Sequence, residues 1–233
     1  MILHKEEVVF RDRIDAGKRL GERLTAYQGR QVVVFAIPRG GVPVATEVAD
    51  KLGATLDVII SRKIPISFNP EAGYGAVTED GAVVLNESLV KQLRLTEDQI
   101  KPQAEQVRAE IARRSAVYRS KLETSSVTDK TAVIIDDGLA SGFTMRAAIL
   151  SMQQRRAAKI VVAVPVASGT AYDFIKPQVD ELVCLIVARV HQFAVASFYA
   201  HWYDLTDEEV IRYLEAWQRR HIQAVRQNAR FRK

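Results

Sequence analysis

Val133-Ile134-Ile135-Asp136-Asp137-Gly138-Leu139-Ala140-Ser141-Gly142-Phe143-Thr144 is the stretch whose reading decides the fold. It opens as a short apolar, β-branched run, the pattern of a strand buried on both faces of a parallel sheet. Two carboxylates follow at the C-terminal end of that strand, where open α/β sheets bind ligands. Ala140 to Thr144 are mostly small, carry two hydroxyls and one glycine, and open a helix. Backbone N–H groups at such a helix start form an anion site suited to a phosphate monoester. Two acids beside that cradle repel a bare polyphosphate. They suit a ligand that donates vicinal hydroxyls, such as a ribose 5-phosphate, with a metal nearby. The lysine of a Walker loop is missing, which disfavours a P-loop nucleotidase.

The same grammar extends outward. Val32 to Ile37 is a second buried-strand run, broken by Pro38-Arg39-Gly40-Gly41. A helix with Val44, Val48 and Leu52 inward follows, then a strand from Leu56 to Ile60. Ile14, Leu20 and Leu24 predict an N-terminal helix over 12–27. Thr131–Ile135, Ile160–Val166 and Leu182–Val187 predict strands, with helices after the first two. Thr96 with Gln99, and Thr206 with Glu209, predict capping boxes opening two further helices. The first runs to about Ser120, with Pro102 near its start or kinking it. The second carries Val210, Tyr213, Leu214 and Trp217 on one face. Residues 64–86 depart from the alternation. Pro65, Pro70, Gly73 and Gly75 punctuate them, and Gly75–Val77 and Ala82–Leu85 flank a hairpin turn at Thr78-Glu79-Asp80-Gly81. Alternating strands and helices predict an α/β fold with a parallel, Rossmann-like sheet flanked by helices, a hairpin excursion and one domain over 1–233.

Composition narrows the function. The chain has 233 residues, 48% hydrophobic and 26% charged, ordinary globular usage. No apolar run approaches the roughly 18–20 residues that span a bilayer, and the N-terminus has no apolar signal region, so a cytoplasmic setting is expected. Cys184 is the single cysteine and the four histidines are scattered, so neither a disulfide nor a zinc spacing is present. The net charge of +5 is concentrated in Arg219, Arg220, Arg226, Arg230, Arg232 and Lys233, which leaves the rest near neutral. This basic tail is either a nucleic-acid contact or, favoured here, a solvated terminus.

The motif resembles the phosphoribosyl pyrophosphate (PRPP) binding motif of the type I phosphoribosyltransferases: hydrophobic strand, two acids, variable residues, then Thr/Ser-Gly-x-Thr/Ser. All its fixed positions are met. The resemblance covers roughly residues 30–200, and the whole chain is similar to a bacterial and archaeal group of predicted phosphoribosyltransferases. The further similarity lies in Asn69-Pro70-Glu71 to Val77, Arg113-Arg114 to Tyr118-Arg119, and Phe198-Tyr199 to Val210.

The resemblance implies a Mg-dependent transfer of 5-phosphoribosyl from PRPP to a nitrogen acceptor, expected to be a nucleobase, with release of pyrophosphate. Asp136 and Asp137 would hold the ribose hydroxyls, with Asp136 as an indirect support for the metal. Ala140, Ser141, Gly142, Phe143 and Thr144 would cradle the 5-phosphate. Arg39, Gly40, Gly41 and Lys63 would hold pyrophosphate, with residues 62–75 in the place of the family's mobile loop. Val164 to Ala167 would border the pocket. Residues 188–233 would supply a C-terminal hood and helix, with Phe198 and Tyr199 either stacking on a base or lying in the core. A homodimer is compatible with the family.

One departure concerns the acceptor. Enzymes for 6-oxopurines carry an acid just before the Thr-Gly of the phosphate loop and a lysine after the next strand. Here those places hold Ala140 and Pro165-Val166-Ala167. The loop is nearer the adenine-type enzymes, whose mobile-loop glutamate corresponds by position to Glu71. The alternative function is a non-catalytic PRPP sensor that binds nucleic acid.

Overall fold

A computed structural model describes residues 2–3, 9–66, 69–122 and 125–231. Six strands form one sheet in the order β1-β9-β8-β7-β2-β3, every pair parallel. They are β1 (Ile2–Leu3), β2 (Val32–Ala36), β3 (Thr55–Val58), β7 (Thr131–Ile135), β8 (Lys159–Ser168) and β9 (Glu181–Ala188). The apolar runs work because both faces are covered. Along β2, Val32, Val34 and Ala36 enter one core and Val33 and Phe35 the other. The first core is closed by α1 (Arg13–Arg23), α2 (Gly41–Leu52), α4 (Glu97–Arg119) and α7 (Asp207–Phe231), through Leu20, Val44, Val48, Ile111, Leu214 and Trp217. The second is closed by α5 (Phe143–Gln154) and α6 (Gly169–Ile175), through Met145, Ile149, Met152 and Ile175. Each fully buried Val, Leu, Ile or Met contributes about 1.5–3 kcal/mol.

The chain runs from β2 outward to β3, then returns to the other side of β2 as β7 and continues through β8 to β9. The order therefore reverses between β2 and β7, the crevice position where open parallel sheets bind ligands.

The excursion is a separate three-stranded antiparallel sheet, β4 (Ser61–Ile66), β5 (Asn69–Thr78) and β6 (Val83–Leu85). The hairpin turn at 78–81 is as expected. Residues 62–66 and 69–75, which the resemblance puts in the place of the family's mobile loop, lie in paired strands, with register shifts at Ile64/Pro65 and Pro65/Ile66. Those irregularities let prolines sit in a ladder. One face packs on the first core through Ile64, Tyr74 and Val77, and Ala76 and Val84 of the other meet Ala147 of α5. The turn is tied down at its base. Arg155 reaches Glu79 at 2.8 Å and Asp80 at 3.2 Å, Arg119 also pairs with Glu79, and Arg108 donates to the Gly81 carbonyl at 2.9 Å.

Two short elements had no signal in the sequence: β1, which pairs Ile2 with Val187, and α3 (Glu87–Gln92), which buries no residue. Both capping boxes form, with the Thr96 N–H donating to Gln99 at 3.0 Å and the Thr206 N–H to Glu209 at 2.9 Å. Pro102 falls near the start of α4, which continues through it. Among the described residues, no helix is long and apolar enough to cross a membrane.

Candidate active site at the β2–β7 crevice

The acid pair stands where β7 ends. The Ile37 N–H extends the ladder to the Ile135 carbonyl at 2.9 Å, so the turn Pro38–Gly40 leaves β2 directly beside Asp136 and Asp137. The peptide between Pro38 and Arg39 is cis. The two glycines answer to that proximity. A Cβ on Gly40 would lie 1.8 Å from Asp137 Oδ2, and one on Gly41 would lie 2.7 Å from the Ile135 carbonyl oxygen. No side chain fits at either place without displacing the acids or the strand behind them.

Beyond the acids the chain stays tightly held. The Leu139 N–H bonds the Val166 carbonyl, the Ser168 N–H bonds the Leu139 carbonyl, both at 2.9 Å, and the Ser168 hydroxyl donates to the Ala140 carbonyl at 2.8 Å. Gly142 caps α5 at φ +81°, a left-handed conformation that favours glycine. A Cβ there would also crowd Phe174 at 3.1 Å. Among the described residues, the backbone N–H groups of Ala140, Ser141, Gly142, Phe143 and Thr144 meet no protein acceptor. Ala140 and Ser141 are exposed. The loop thus offers a row of donors at the positive end of a helix, the makings of an anion cradle.

The electrostatics of the pair are asymmetric. Crowding by protein, followed by the charge of Asp137, raises the Asp136 carboxyl well above the usual carboxylate range. Asp137 is compensated instead. Arg13 Nε donates to its Oδ2 at 2.9 Å, with the arginine side chain 8% exposed and the aspartate 14%. The Asp137 N–H also donates to Asp136 Oδ1 at 2.8 Å, and the Tyr199 hydroxyl donates to the Asp137 carbonyl at 2.6 Å. Burial pushes the Tyr199 phenol upward.

The residues singled out in the sequence divide accordingly. Asp136, Asp137, Gly40, Gly41 and the loop Ala140–Thr144 share the crevice. Arg39 is half-buried at the head of α2, and its charge acts on the Tyr118 hydroxyl of α4. Lys63 lines a different cleft of about 450 Å³ between β4 and α4, with Arg62, Gln103 and Glu110. Its strand is nonetheless joined to the loop that opens α5, because the Ser61 hydroxyl donates to the Thr144 carbonyl at 3.0 Å. The Glu71 side chain lies outside the described residues, as do those of Arg226, Arg230, Arg232 and Lys233 in the basic tail. Arg220 pairs with Asp50 at 2.7 Å. Phe198 and Tyr199 settle as core: both are buried, and Tyr199 packs on Phe10 with ring centroids 5.4 Å apart. Cys184, half-buried, has its thiol pushed up to about 12 by burial and takes no part.

Sequence reasoning missed Arg13, Ser61, Ser168 and the hydroxyl of Tyr199. For Arg13 a signal existed. It falls in phase with Ala16, Gly17, Leu20 and Gly21, the buried stripe of α1. A charge on an apolar stripe is rarely buried without a partner.

Residues 76–199 match the phosphoribosyl transferase domain family. Two Mycobacterium tuberculosis proteins, named "Putative phosphoribosyl transferase" MT0597 and Rv0571c, are each 38% identical over 207 residues, covering 89% of this chain. The chain spans 46% of the length of each. The crystal structure of TT1426 from Thermus thermophilus superposes with a TM-score of 0.75 at 37% identity, covering 90% of this chain and 99% of that one. The match spans the acid pair, the small-residue loop and the hairpin strand β5 from Ala76, and the chain belongs to the phosphoribosyl transferase domain family.

Proposed function

We propose that the protein transfers 5-phosphoribosyl from PRPP to a nitrogen acceptor, releasing pyrophosphate. The observation that carries this reading is the crevice itself. Two carboxylates, a loop of unpartnered N–H groups and a side-chain-free turn converge at the β2–β7 reversal. Asp137, paired with Arg13, accepts from a ribose hydroxyl, and Asp136 takes the second. Residues 140–144 hold the 5-phosphate. The Gly40–Gly41 turn admits pyrophosphate to the backbone, with Arg39 beside it. Lys63 is kept in the proposal as a cation on the hairpin arm. In the reaction the bond from C1 of the ribose to pyrophosphate oxygen breaks and a bond to the acceptor nitrogen forms. The acid pair lies where it can favour the positive charge that grows on the ring.

Magnesium fits this donor set. Among the described residues no three carboxylate, histidine or cysteine side chains gather to hold a metal. A magnesium ion commonly uses one or two carboxylates together with substrate phosphates and water. Asp136 and Asp137 would provide such a partial shell through the ribose, and the ion when bound would neutralise the departing pyrophosphate. The setting expected for this chemistry is the cytoplasm, and a homodimer is part of the proposal.

Ala140 provides no base for N7 of a 6-oxopurine, and general-base assistance is typically worth 10²–10⁴ in rate. Adenine or a non-purine is therefore the expected acceptor. The test is pyrophosphate release from PRPP and Mg over a panel of purine and pyrimidine bases. Acceptor-dependent release is expected. Efficient turnover of hypoxanthine or guanine, with kcat/KM near 10⁴ M⁻¹s⁻¹ or higher, would refute the acceptor argument.

A further inference from the structure

We propose that Arg13 is a positioning residue of this site: it fixes the Asp137 carboxylate against the Gly40–Gly41 turn and so presents it to the ribose hydroxyls. The inference rests on the phosphoribosyltransferase reading above and adds a residue 124 positions away from the motif. Arg13 is held on three sides. Its Nε donates to Asp137 Oδ2 at 2.9 Å and its Nη1 donates to the Tyr203 carbonyl at 2.9 Å. The guanidinium lies over the Trp202 ring, 3.8 Å from the centroid. A planar guanidinium serves all three at once, which a lysine ammonium does not.

The helix that carries Arg13 is itself fixed. Asp12 caps α1 by accepting from the Asp15 N–H at 2.8 Å. Further along, α1 lies so close to α2 that a Cβ on Gly17 would stand 2.7 Å from the Val44 carbonyl oxygen. Since α2 begins at Gly41, the arginine and the turn that faces Asp137 ride on one packed pair of helices. From the other side, the segment before α1 pairs with the segment carrying Tyr199 and Trp202. Phe10 donates to the Phe198 carbonyl, and Ala200 and His201 donate back to Phe10 and Arg11, at 2.8–2.9 Å. Asp137 is thus held by its side chain from Arg13 and by its carbonyl from Tyr199. Oδ2 is enclosed between Arg13 and the Gly40 backbone.

Stability alone does not account for this arrangement. A nearly buried ion pair is often no better for folding than apolar residues of equal volume. This pair ends on one of the two carboxylates that meet the ribose in the proposed reaction.

The experiment is calorimetric titration of the full chain with PRPP and Mg, in the wild type, Arg13→Met, Arg13→Lys, Asp137→Asn and the Arg13→Met/Asp137→Asn double variant, each with its melting curve. Arg13→Met is expected to weaken PRPP by about tenfold or more, the effect of losing about 1.4 kcal/mol or more. Arg13→Lys is expected to recover only part of that loss, because it restores the charge beside Asp137 but not all three contacts. The double variant is expected to bind no more weakly than Asp137→Asn, because the arginine acts through that carboxylate. Arg13→Gln replaces Arg13→Met if the latter does not fold. Wild-type affinity in Arg13→Met, or losses that add in the double variant, would overturn the inference while leaving the function intact. A wild-type chain that binds neither PRPP nor ribose 5-phosphate would overturn the function, and the inference with it.

Discussion

Gly40→Ala is the substitution most tightly specified by the crevice. The new Cβ would stand 1.8 Å from Asp137 Oδ2 and 2.5 Å from its Cγ, where real Cβ contacts stay above 3.0 Å. The carboxylate, the softer of the two partners, must retreat by about 1.2 Å or more from its present place. It cannot do so and keep the 2.9 Å bond to Arg13 unaltered. A charge-assisted hydrogen bond contributes about 1.5–3 kcal/mol. A 1 Å misplacement at a reacting centre costs on the order of 10²-fold, about 2.7 kcal/mol. The two figures agree, so PRPP affinity or kcat/KM is expected to fall about a hundredfold. The melting temperature should fall by about 3–12 °C, at about 2–4 °C per kcal/mol for a domain of this size. Gly53→Ala is the control. Gly53 ends α2 at φ +62° with no atom within 4 Å of its Cβ direction, so it meets a backbone cost of about 1–2 kcal/mol and no carboxylate. It should melt lower and bind PRPP normally. A Gly40→Ala protein with wild-type PRPP affinity would refute the assignment of this turn to the site.

Gly142→Val adds a β-branched side chain at φ +81° and against Phe174. It is expected to abolish the anion that a sulfate-soaked crystal of the wild type should hold on the amides of residues 140–144. Asp136→Asn bears on pH. Because the folded-state carboxyl is raised, the native chain keeps a proton over a range above the ordinary carboxylate value where the unfolded chain has released it. The stability from protonated Asp136 is therefore full below about pH 4 and is lost as pH rises through the raised native value. Asp136→Asn should melt higher than the wild type at pH 7, with the gap closing as the pH approaches 4; a gap that widens on acidification would reverse the sign.

The sheet was legible because parallel strands buried on both faces read as continuous apolar runs, and β2 and β7 are such runs. The acid pair and the small-residue loop were legible because they are contiguous. What stayed hidden was assembled by the fold. Arg13 reads as one more charge in a charged helix until α1 is laid on α2. Strand β4 was obscured by Pro65 and the register shifts around it. The two residues of β1 and the short α3, which turns only Leu89 and Val90 half-buried against the core, carry no periodicity to read. Tyr199 was open between base stacking and core. The answer depends on Phe10, almost two hundred positions earlier, against which its ring packs.

The most direct measurement of the central claim is the affinity of the unmodified chain for PRPP with Mg, set beside Asp137→Asn. The variant keeps the shape of the side chain and removes the charge that Arg13 and a ribose hydroxyl both use. Wild-type binding, with the variant weaker by about tenfold or more and still folded, is the predicted result, since a hydroxyl bond to a carboxylate contributes about 1.5–3 kcal/mol. Equal affinity in the two proteins, or no PRPP binding by the wild type, would contradict the account.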